Sequence, residues 1–135
     1  MSAILENLKE FHGHLAPYVV IGYKMGLIAT KELNGSHKNL TADVKTGTKP
    51  PISCIIDGIQ FSSGCTLGKG NINVFDEKKA EAIFNNGKQK IKIELKEEIQ
   101  KHIKEKLTKE NEEELAFWIY NLNNKKLFDT IKTGV

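Results

Sequence analysis

The chain has 135 residues and a mass of 15.1 kDa, which fits one compact domain with a modest core and excludes a multidomain enzyme. Residues of the hydrophobic set make up 39%, and the 11 glycines bring the apolar share near the ~45–50% usual for globular proteins, which excludes disorder as a description of the whole chain. The 20 Lys+Arg against 17 Asp+Glu leave a net charge of +3, too balanced to mark a nucleic-acid partner.

Ile4, Leu5, Leu8 and Phe11 recur at helical spacing and predict a short amphipathic helix over residues 3–11, which delivers the chain into His12-Gly13-His14. A longer helix starts near Pro17, whose fixed φ suits a first turn, and runs to Glu32 or Leu33, where Asn34-Gly35 ends it. Gly22 and Gly26 share one face of that helix, and glycine there costs about 1 kcal/mol against alanine, so another element is expected to pack closely on them. Thr41–Thr48 alternates as a strand and is broken by residues 46–51. Ile52–Phe61 fits a mostly buried helix with Pro51 in its first turn, although its β-branched isoleucines also suit a strand. The glycine-rich loop Ser62–Asn71 follows.

Ile72–Phe75, Ala80–Phe84 and Lys88–Leu95 read as strands, with Asn86-Gly87 turning between the last two. Glu97–Thr108 and Asn111–Leu122 read as charged surface helices, the second opening on three glutamates where the helix dipole favours them, and Lys125–Ile131 as a last short turn. The expected fold is therefore a single α+β domain over 1–135, with N-terminal helices packed on a mainly antiparallel sheet and charged C-terminal helices. No uncharged apolar run approaches the ~18 residues of a membrane span, and the start lacks the pattern of a signal peptide, so the protein is expected in the cytoplasm, with neither membrane nor nucleic acid as partner.

Two segments hold residue types poorly suited to packing alone. In Phe11–Pro17, glycine between His12 and His14 permits a turn that sets both rings on one side, for a metal or a substrate, or as surface histidines capping a helix. In Gly64–Asn71, three glycines surround Cys65 and Lys69. This loop suits an anion nest, a thiolate ligand or nucleophile activated by Lys69, or a tight turn over a buried thiol, and its spacing departs from a Walker A loop. Asp57 among four isoleucines must be paired or face a polar cavity, with Gln60 on the same face, and it can hold a histidine in its ligand orientation or cap the helix. Cys54 reads as core, with a redox pair to Cys65 as the other reading. His37 and His102 read as solvated, and the stripe around Trp118 as core or as a partner surface.

Phe11-His12-Gly13-His14-Leu15 with Pro17, Gly22 and Gly26, then Cys54-x-x-Asp57-Gly58-Ile59-Gln60 and Gly64-Cys65-Thr66-Leu67-Gly68-Lys69-Gly70-Asn71, resembles the FmdE family of formylmethanofuran dehydrogenase proteins over residues 5–95. The resemblance implies an α+β core, a homodimer with intertwined elements, and a His/Cys pocket for a divalent metal, zinc first, with nickel or iron as the other fits. It points to His14 and Cys65 as ligands with His12 next, and to Asp57, Gln60, Thr66, Lys69 and Asn71 around the pocket. Cys65, Asp57 and Lys69 are the candidate catalytic groups. The chain departs from the family pattern in having Ala16-Pro17-Tyr18 where a Cys and Pro-Gly are usual, and in carrying no cysteine over 97–135, so no C-terminal zinc finger is expected. The alternative function the resemblance implies is an accessory component docking on a molybdenum or tungsten formylmethanofuran dehydrogenase complex of methanogenesis.

Overall fold

The structure, a computed structural model, describes residues 1–34 and 39–135; the expectations for Gly35 and His37 lie outside the described residues. Helix α1 (Ala3–His12) is capped at its start by Ser2, whose hydroxyl accepts from the Leu5 amide, and stops on Gly13 at φ 103°, a left-handed conformation glycine adopts without penalty. Only Leu5 and Leu8 of α1 are buried. Helix α2 (Pro17–Glu32) has Pro17 in its first turn and is buried on every side from Pro17 to Gly26, the pattern of a helix lying inside the domain.

The element that packs on Gly22 and Gly26 is α3 (Cys54–Ser63). A methyl group at Gly22 would overlap the Ile55 carbonyl, and one at Gly26 the Ser62 hydroxyl. Gly58 returns the contact from α3, lying directly on the Val19 carbonyl and the Tyr23 amide of α2. The isoleucine-rich segment is thus a helix and not a strand. It begins two residues later than its periodicity predicts, because Ile52 and Ser53 still belong to a turn.

The sheet has the order β2-β1-β3-β4-β5, from β1 (Thr41–Val44), β2 (Ile72–Val74), β3 (Glu81–Asn85), β4 (Gln89–Leu95) and β5 (Phe128–Gly134). Among the described residues only the β1–β2 pair is parallel. Register places Ala42 beside Phe84, Val44 beside Ala82, Ala82 beside Ile93 and Phe84 beside Ile91, so one apolar face meets the helices. The predicted strand over 41–48 ends at Val44, beyond which only Thr46 bridges to Asp76. The fold is α+β, with helices and a mainly antiparallel sheet.

The C-terminal region changes most against expectation. Helices α4 (Glu97–Lys106) and α5 (Glu112–Asn121) form as predicted, but the expected turn over 125–131 becomes the short α6 (Asn124–Leu127) and the seven-residue edge strand β5. Phe128 alone is buried in β5, so its sequence shows no alternation, and its position comes from backbone pairing along all of β4. His102 is half-buried and lies against Trp118 with ring centroids 4.4 Å apart and planes tilted at 36°, where solvation was expected. The Trp118 stripe packs on the core, with Leu115 and Ile119 buried. Lys24, inside α2, donates to the Ile119, Tyr120 and Leu122 carbonyls at 3.0, 3.1 and 2.7 Å and so closes the end of α5; burial lowers its pKa to about 8.

On the opposite face of the sheet, Glu81 is only 7% exposed and stands directly across from Glu94. Burial first, and then the shared hydrogen bond and charge of Glu94, push its carboxyl above the ordinary value, while Lys92 and Lys79 pull it back. The stabilising protonated form is full below the unfolded value and lost as pH rises through the folded one. At pH 7, Glu81→Gln is expected to stabilise the fold by about 0.5–1 kcal/mol, an advantage that shrinks toward pH 4. Urea midpoints of the two proteins at both pH values check this, and an equal gain at both would show that charge is not its source.

Candidate metal centre

The turn at Gly13 does what the His-Gly-His spacing allows. It sets the His12 and His14 rings in a stack, with centroids 4.7 Å apart and planes at 29°. Cys54, the first residue of α3, completes the group. His12, His14 and Cys54 each offer one ligand atom, and these atoms lie within 4.8 Å of one another.

Each imidazole is held by a carboxylate. His12 Nδ1 lies 2.6 Å from Asp57 Oδ2, and His14 Nδ1 lies 3.2 Å from Glu112 Oε2. A carboxylate on Nδ1 fixes the tautomer that leaves Nε2 as the coordinating nitrogen. The His12 side chain is only 9% exposed, and its buried Nε2 has no hydrogen-bond partner among the described residues. Such an orphan is rare because the lost hydrogen bond costs about 1–3 kcal/mol, and a cation at that point removes the cost.

The local charge also suits a cation. Burial, followed by the negative charges of Asp57 and Glu112, pushes the Cys54 thiol above its ordinary value. The thiol is therefore protonated in the metal-free protein at neutral pH, and the Asp57 and Glu112 charges that help hold the proton also attract a dication. Two imidazole nitrogens and one thiolate sulfur fit zinc with a fourth position left open. Beside His14 and Cys54 lies a cavity of about 280 Å³ whose walls include Pro17, Pro51 and Leu107, with Glu112 at its side.

The thiol of this group is Cys54, which its sequence context assigns to the core, and not Cys65. Cys65 is fully buried, belongs to the hydrophobic core and lies outside the cluster. Burial pushes its thiol upward, against the Ser63 hydrogen bond and the Lys69 charge, so this is not the depressed pKa of an activated nucleophile. Both cysteines are free thiols. Asp57 meets His12, and Gln60 supports it, donating from Nε2 to Asp57 Oδ1 at 3.4 Å while its Oε1 accepts from the Leu67 amide at 2.9 Å.

Thr66, Lys69 and Asn71 hold the glycine-rich loop and do not line the cavity. Asn71 Oδ1 accepts from the Thr66 amide at 2.8 Å, Thr66 Oγ1 accepts from the Lys69 amide at 3.3 Å, and the Lys69 side chain is exposed. Two members of the site are not identified by sequence reasoning. Cys54 has a usable signal, since it lies three residues before Asp57 on one helical face. Glu112 has none, because 98 residues separate it from His14.

The family model described as "FmdE, Molybdenum formylmethanofuran dehydrogenase operon" matches residues 11–129. The chain belongs to the FmdE family. The match runs past the 5–95 of the sequence resemblance and takes in α4, α5 and Glu112, so the C-terminal helices are part of the family domain. A protein of Archaeoglobus fulgidus named "Probable S-adenosyl-L-methionine-binding protein" is 34% identical over 79 residues, which are 56% of this chain and 21% of that protein. The chain thus spans about a fifth of that relative's length. The crystal structure of a tungsten formylmethanofuran dehydrogenase FmdE-like protein from Syntrophus aciditrophicus superposes with a TM-score of 0.71 at 20% identity, over 98% of this chain and 71% of the other. At that identity the likeness is one of fold. Among the described residues no helix is long and apolar enough to cross a membrane.

Proposed function

We propose that this FmdE-family domain binds one divalent cation, zinc by its donor set, through His12 Nε2, His14 Nε2 and Cys54 Sγ, and presents the open coordination position to a small molecule in the adjoining cavity. The observation that carries this reading is the buried, unpartnered Nε2 of His12, held in place by Asp57 on the other ring nitrogen. Nickel and iron also accept such donors, and supply decides among them. A bound zinc ion would supply Lewis acidity and lower the pKa of a water it carries. The chain's own part is to fix both imidazoles, keep the thiol within reach and wall the cavity with apolar side chains.

Metal analysis of protein purified without an affinity tag tests the assignment. One equivalent of metal is expected in the wild type, less than a tenth of that in Cys54→Ser, and an undiminished equivalent in Cys65→Ala. Metal retained by Cys54→Ser, or a wild-type protein that does not hold zinc after loading and dialysis, would overturn it.

A further inference from the structure

The chain carries 20 lysines and no arginine, and lysines line most of its surface hollows: Lys96 and Lys101 one, Lys125 and Lys126 another. The cavity beside the metal centre differs. Among the described residues no lysine or arginine lines it, and apart from His14 and Cys54 its ionisable side chains are Glu112 and the phenol of Tyr18. That phenol is held neutral by burial, which raises its pKa against the opposing pull of the Gln100 side chain. Glu112 is bonded to His14 through Oε2 only, and its Oε1 has no hydrogen bond among the described residues. The remaining surface is alanine, proline and leucine.

At about 280 Å³ the cavity lies just below the roughly 300–1,000 Å³ of pockets for drug-sized ligands, so its occupant is small. Away from the metal position itself, an anionic end group would find no cationic side chain on the cavity walls and would face the Glu112 carboxylate. A cation is attracted by the same carboxylate.

We propose that the cavity takes a small aliphatic amine or ammonium compound: a Lewis-basic end for the cation's open position, a short apolar body against Pro17, Pro51 and Leu107, and a positively charged end at Glu112 Oε1. This deepens the metal-binding reading and rests on it.

The test uses the full chain loaded with cobalt(II), whose visible absorption reports on its ligands, and two thiols that share an anchoring group. Thiocholine carries a quaternary ammonium, and 3-mercapto-1-propanesulfonate a sulfonate. Thiocholine is expected to bind at least tenfold more tightly to the wild type. Glu112→Gln should bring the two within about threefold, and Leu107→Lys, which adds a positive charge at the cavity wall without removing a ligand atom, should narrow or reverse the preference. A sulfonate that binds as well as thiocholine, a preference unchanged in both variants, or a spectrum that neither thiol perturbs would overturn the proposal. Failure to take up cobalt would instead be failure of the metal-binding reading.

Discussion

Gly58→Ala is expected to cost at least about 3 kcal/mol, at the upper end of what overpacking does and a large part of the ~5–15 kcal/mol that holds a domain together. The reason is what the new methyl would meet. The Val19 carbonyl and the Tyr23 amide are backbone atoms of α2, which cannot rotate aside as a side chain can. Relief requires the two helices to part, and parting exposes Ile55, Ile59 and Val19, all fully buried. Gly22→Ala, against the Ile55 carbonyl, should behave alike. Gly68→Ala is the control, because nothing lies within 4 Å of its added methyl, and it should stay within about 0.5 kcal/mol of the wild type. Urea unfolding of the three variants separates the cases, and a Gly58→Ala protein as stable as Gly68→Ala would disprove the close contact of α2 with α3.

Zinc affinity should fall about tenfold for each unit of acidification below pH 8. Burial, Asp57 and Glu112 hold the Cys54 thiol above its ordinary value, so the metal-free protein carries that proton across the neutral range. A cation that takes the thiolate must expel it, and protons compete with zinc at one per site. The sign follows: apparent affinity rises with pH until the thiol ionises on its own. Competition against a chromophoric chelator between pH 8 and pH 6 should therefore span about 100-fold or more. Cys54→Ala should lose this component of the slope along with most of the affinity. A flat profile in the wild type would mean that the thiol takes no part.

How far these features are legible in the sequence depends on how local they are. Strand β4 follows from alternation because it buries one face against the core, and helix α2, buried on every side over its first ten residues, is legible instead from Pro17 at its start. The His12–Gly13–His14 turn is legible for the same reason, since the glycine that sets the rings lies between them. Cys54 misleads because a single thiol among isoleucines has the composition of core, and what moves it to the site is its place at the half-buried start of α3 beside the end of α1. Cys65 draws attention through its glycines. Those glycines serve a tight loop that seals the thiol inside, a purpose composition does not separate from an anion nest. Strand β5 has no apolar period of its own, and Glu112 and Lys24 act across 98, 95 and more residues, distances at which pattern carries no information.

Helix α1 buries only Leu5 and Leu8 in the core and is otherwise tied down by polar and ring contacts, Lys9 to Glu113, Phe11 to Phe61 and His12 to Asp57, while its last residue and the one after Gly13 carry both imidazoles of the centre. An element with so little of its own surface buried is the first to fray, and local opening there needs far less free energy than opening the α2–α3 pair. Occupancy of the centre would add a second tie between the end of α1 and α3, beside the His12–Asp57 contact already there. In such an arrangement the N-terminal turns would serve as a latch, and an ion's rates of uptake and release would follow how often they open.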